Sequence, residues 1–115
     1  MNDEKAYNYR QIKLMKAKVL FFHNNSIELF DIINDLESLL SHIKNPSAKW
    51  HTEFISWWAN MESVYANAIY ENRTNFDLQD IQIINEAIKN IEQLIEKYQK
   101  ENFTEEDIIK FEYID

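Results

Sequence analysis

Not one glycine occurs in 115 residues, where an average chain of this size carries about eight. That absence removes the usual material of tight β-hairpins, because type I′ and II′ turns rely on Gly or Asn-Gly. The punctuation that remains suits helices. Asparagine tolerates the left-handed conformation that closes a helix, and Asn24 or Asn25, Asn45, Asn72 or Asn75, and Asn102 fall where helices should end. A single proline, Pro46, adds a stop, since the residue before it disfavours helix. The chain reads as all-α.

Hydrophobic spacing places the helices. The first runs from about Asp3 to His23, with Ile12, Met15, Val19 and Phe22 on one face; a strand at "KVLFF" is its competitor. The second follows Ser26 as N-cap and ends at "KNP", with Ile27, Phe30, Ile33, Leu36 or Glu37, Leu40 and Ile43 as its stripe. The third is capped by Ser47 and reaches about Glu71. The fourth runs from near Asp77 to about Lys100, with Leu78, Ile81, Ile84, Ile88, Ile91, Ile95 and Tyr98 aligned. Thr104 and Asp107 have capping-box spacing and open a short last helix, "EEDIIKFEYI". Loops of two to six residues favour antiparallel neighbours. The expected architecture is one domain over residues 1–115, a four-helix bundle with a short C-terminal helix.

The third helix is the most aromatic part of the chain and holds all three tryptophans. At about 100° per residue, Trp50, Phe54, Trp57, Met61, Val64 and Ala68 form one stripe. Ile55, Trp58, Glu62, Tyr65 and Ile69 form a second beside it. Two such stripes predict a helix covered on two sides, with the tryptophans in the core. Glu62 then falls among apolar neighbours. A buried carboxylate needs a partner, so Glu62 is expected either to fix the bundle through a polar contact or to anchor a binding site. On the opposite face Thr52, Ser56, Asn60, Ser63 and Asn67 are small and uncharged, which suits close approach of another element or chain.

Chemistry is mostly refused. Phosphate-cradling loops need glycine for close backbone approach. A di-iron bundle needs Glu-x-x-His, but Leu20, Leu39 and Ala48 stand three residues before His23, His42 and His51. With no cysteine there is neither a thiolate zinc site nor a disulfide framework. No nucleophile elbow is present. The expectation is a protein without catalytic residues, metal or cofactor. No apolar run approaches the roughly 20 residues of a membrane span, and the start lacks a signal-peptide pattern, so a cytoplasmic location is expected.

The charge is −8 but uneven. Residues 1–20 carry five Lys/Arg against two Asp/Glu, a local +3, and residues 21–115 carry seven against eighteen, a local −11. Such a field repels nucleic acid and steers basic proteins. Two acidic groups are candidate partner-binding sites. One is Glu28, Asp31 and Asp35 on the second helix. The other is Glu101, Glu105, Glu106, Asp107 and Glu112, set among Phe103, Phe111 and Tyr113, where charge would set the on-rate and aromatics the hot spots.

The pattern Phe54-x-x-Trp57-Trp58-x-x-x-Glu62-x-x-Tyr65-Ala66 resembles small helical immunity proteins of bacterial toxin–immunity pairs, of the contact-dependent inhibition, polymorphic-toxin or colicin kind. The resemblance covers residues 50–98. It implies a stoichiometric inhibitor that binds a cognate toxin domain, often a basic nuclease, with carboxylates standing in for phosphates. The rival reading is a homodimeric structural or adaptor module.

Overall fold

The computed structural model describes residues 3–114. Its helices are α1 (Asp3–His23), α2 (Leu29–His42), α3 (Ala48–Tyr70), α4 (Leu78–Asn102) and α5 (Glu105–Ile109), the last running into a π-helical turn over Lys110–Ile114. The fold is therefore all-α, four long helices and a short C-terminal one.

The asparagines do the work glycine would do. Among the described residues Asn25, Asn45 and Asn72 have positive φ, at 58°, 54° and 54°. Two of them close helices by the same bonding. After α1, Ser26 N–H reaches back to Phe21 O and Asn25 N–H to Phe22 O; after α3, Arg73 N–H reaches Ala68 O and Asn72 N–H reaches Ile69 O. This is the Schellman pattern, which satisfies orphan carbonyls at a helix end. Asn102 instead stays within α4.

Helix starts are set by short acids and hydroxyls. Ser47 Oγ accepts the Trp50 N–H at 3.1 Å. Asp77 and Asp80 exchange bonds at 2.8 and 3.2 Å, and Thr104 and Asp107 at 3.1 and 2.9 Å. The second helix starts two residues later than expected. Ser26 is not its cap, because its N–H already terminates α1. Glu28 takes that place, with its N–H donating to Asp31 Oδ2 at 3.0 Å.

Each long helix touches two others: α1 packs on α2 and α4, and α3 packs on α2 and α4. The arrangement is a ring with α1 and α3 on one diagonal. Antiparallel register is visible in the cross-links. Along α1 and α4, Tyr9 meets Phe103, Lys16 meets Gln99 and His23 meets Glu92. Ile12, Met15, Leu36, Phe54, Met61 and Ile91 fill the centre with almost no exposure. The body is long and narrow, 51 × 29 × 19 Å.

Ring packing corrects the reading of α3. Its first stripe is buried at Trp50, Phe54, Met61, Val64 and Ala68, with Trp57 half-buried. The second stripe is not covered: Ile55, Glu62 and Ile69 are exposed, and Trp58 and Tyr65 are half-buried. A helix with two neighbours in a ring turns one stripe inward, and the flanking stripe lies along the outer edge of the seam. Phe30 of α2 lies there too and is 51% exposed, against its expected core position.

Candidate functional site

The acidic residues expected to form a binding surface divide into two groups far apart. Glu28 and Asp31 start α2, at the end that carries the α1–α2 and α3–α4 turns. Glu101 to Glu112 lie where α4 ends, at the opposite end of the bundle. They do not form one site.

Several are already engaged inside the fold. Asp107 pairs with Lys5 at 2.6 Å. Lys5, followed by the Thr104 backbone N–H, holds its carboxyl below the usual range. Glu112 accepts from Lys13 Nζ and Tyr9 Oη, each at 2.5 Å, and these donors likewise lower its pKa. Burial first, and the Glu112 carboxylate second, push the Tyr9 phenol up to about 12. Around this bond Tyr9 lies 5.1 Å from Phe103 and 5.2 Å from Phe111 between ring centres. Phe103 is buried and Phe111 half-buried, so of the three aromatics expected beside these acids only Tyr113 is widely exposed, at 82%. This group is thus an attachment of the C-terminal segment to α1. Glu101, Glu105 and Glu106 remain exposed on its outside.

On α2, Asp31 is tied to the helix start and Asp35 lies 3.3 Å from Lys18. Glu28 is exposed and borders a surface groove of about 860 Å³. Phe22, Ile27, Phe30, Tyr65, Ile69 and Phe76 supply its apolar lining. The Arg73 guanidinium nearby is neutralised. Arg73 bonds Asp80 at 2.6 Å and Glu71 at 3.1 Å, which lowers the Asp80 pKa, and His23 Nε2 lies 2.5 Å from Glu92.

Glu62 is not a buried anchor. It is exposed and forms no hydrogen bond or ion pair among the described residues. The tryptophan donors on its helix use backbone carbonyls: Trp50 Nε1–H donates to Leu94 O and Trp58 Nε1–H to Ile33 O, both at 2.8 Å. The polar contact inside the bundle belongs to Asn8. Its side chain, 5% exposed, donates to Lys44 O at 2.9 Å and accepts Lys44 N–H at 2.8 Å. That residue had a legible signal, since Asn8 stands four before Ile12 on the apolar stripe of α1.

Among the described residues no group of His, Asp and Glu is placed to hold a metal ion, and no helix is long and apolar enough to cross a membrane. The molecule is thus a helical bundle whose outward features are an apolar groove, an exposed aromatic seam and free carboxylates. Compared with protein-family models, curated proteins and solved structures, the chain matches none.

Proposed function

We propose that this chain is an immunity protein: a cytoplasmic, stoichiometric inhibitor that binds a basic toxin domain of nuclease type and acts by covering it, not by catalysis. The observation that supports this reading is the net charge of −8, which one-to-one internal pairing leaves unchanged. Lys5, Lys13, Lys18 and Arg73 are bonded to Asp107, Glu112, Asp35 and Asp80. Glu37, Glu53, Glu62, Glu105 and Glu106 form no ion pair among the described residues, and all but the half-buried Glu53 are exposed. Unpaired carboxylates beside exposed aromatics make a surface that attracts a cationic protein and repels nucleic acid.

The test uses the chain as bait in its own cells at low and high salt, with captured proteins identified by mass spectrometry. The expected capture is a basic domain that washes off more readily in salt, arrests growth when expressed alone, and is relieved by co-expression of this chain. A captured domain whose toxicity persists on co-expression would sink the inhibitor reading. The second reading, a homodimeric module, draws on Phe30, Ile69 and Leu78, all more than half exposed. Recovery of this chain alone, at twice its mass and indifferent to salt, would favour it.

A further inference from the structure

The seam between α2 and α3 combines apolar exposure with uncompensated charge. Phe30 and Tyr65 stack across it at 5.5 Å, and the Trp58 indole bonds the α2 backbone at Ile33. Glu62 lies four residues after Trp58 and three before Tyr65, so it shares their strip of the helix surface. Glu37 lies four after Ile33, on the α2 side of the same seam. Both carboxylates are exposed, and among the described residues neither has a cation or hydrogen-bond donor. Ile55 and Ile69, exposed at 37% and 58%, mark the two ends of the strip. They lie 14 positions apart, about 21 Å along the axis. At the Ile69 end the seam runs into the groove that Phe30, Tyr65 and Glu28 border.

We infer that the α2–α3 seam is the docking face for a cationic amphipathic helix of a partner protein, with Phe30, Trp58, Tyr65 and Ile69 receiving its apolar residues and Glu37 and Glu62 pairing its Arg or Lys. Charge complementarity selects this occupant. A partner that brings cations relieves two carboxylates left without compensation, whereas a second copy of this chain would bring Glu37 and Glu62 toward like charges, a costly arrangement. That the partner is a toxin domain rests on the inhibitor reading; the place of docking and the cationic character of its occupant rest on the seam.

The experiment titrates the full, isotope-labelled chain with a synthetic helical peptide of arginine and leucine, about 14 residues long to match the seam, and follows backbone amides by NMR. Expected are shifts at Ile55, Trp58, Glu62, Tyr65 and Ile69, with Kd raised about tenfold or more by Glu37→Lys with Glu62→Lys. The exposed pair Glu86→Lys with Glu96→Lys should change Kd by less than about threefold, since its charges lie on α4 and are largely screened at that distance. Circular dichroism checks that both variants keep their helices. Shifts concentrated at Glu101, Glu105 and Glu106, or equal losses in both variants, would overturn the seam. So would a dimer that Ile69→Lys dissociates. The two proposals fail separately. A toxin neutralised equally well by Glu37→Lys/Glu62→Lys removes the seam and leaves the inhibitor, while peptide docking at the seam without any toxic partner does the reverse.

Discussion

At the residue scale, Asn8 and Glu62 exchange the roles their sequence neighbourhoods suggest. Both are polar residues on apolar registers, but only Asn8 is covered, because α1 meets the end of α2 there and the Lys44 backbone supplies one donor and one acceptor. Asn8→Ala should destabilise the fold by about 1–3 kcal/mol, since it removes two part-buried hydrogen bonds at once. Glu62→Ala should change stability by less than about 0.5 kcal/mol. Urea unfolding of the two variants reads the contrast, and a loss at Glu62 as large as at Asn8 would restore its role as a buried anchor. The tryptophans separate likewise. Trp50→Ala should cost about 3–5 kcal/mol, and Trp57→Ala, at a half-buried position, distinctly less.

At the scale of elements, the short C-terminal segment is the one held mainly by side chains. Five residues of α5 are too few for a stable isolated helix. Its order comes from the Thr104–Asp107 cap, the Lys5 and Lys13 pairs, and the rings of Phe103 and Phe111 against Tyr9. Asp107 and Glu112 have depressed pKa values. Their stabilisation is therefore complete above the free-chain values of about 4 and lost as pH falls through the folded ones. The Tyr9 phenol is raised to about 12, so its contribution is complete below about pH 10 and lost as pH rises from there through the folded value of about 12. NMR titration of the Asp107 and Glu112 carboxyls should give midpoints below those of free carboxylates, with the Phe103 and Phe111 ring signals shifting together in acid. Ordinary midpoints would mean that the pairs do not form in solution. Capping at this element was legible because a hydroxyl and an acid three residues apart satisfy each other's backbone locally. Burial of Phe103 was not, because it depends on Tyr9, 94 positions away.

At the scale of the whole molecule, elongation explains why so much apolar surface stays outside. The Cα radius of gyration is 15.5 Å, against about 13 Å for an average domain of this length. The accessible surface is 7681 Å², against about 6,700 Å² from the mass scaling. Four helices in a ring leave four seams open to solvent, and residues flanking each inward stripe lie along them. Small-angle scattering on the monomer should reproduce the long form; a dimer built end to end would lengthen the 51 Å axis, and one built along the α2–α3 seam would thicken it. Glu105→Lys, on a carboxylate without an ion pair, should leave the unfolding midpoint nearly unchanged, within about 0.5 kcal/mol of stability.

The sequence by itself determined the helices and most of their ends, the start of α2 at Glu28 being the exception together with Asn102, which stays within α4. A glycine-free chain with asparagines at the breaks, acids and hydroxyls at the starts and apolar residues every three or four positions specifies those features through contacts within a few residues. It also determined most of the inward stripes of α1, α3 and α4, since periodicity is a local property, although Leu78 and Ile81 at the start of the expected α4 stripe are exposed. Only the tertiary structure decided which flanking stripe is covered and which carboxylates are free. Those outcomes depend on which helices become neighbours: Asp107 and Glu112 find Lys5 and Lys13 because the C-terminal segment crosses α1. Glu62 finds no cation because α1, which holds most of the lysines of the first half of the chain, lies diagonally across the bundle from α3.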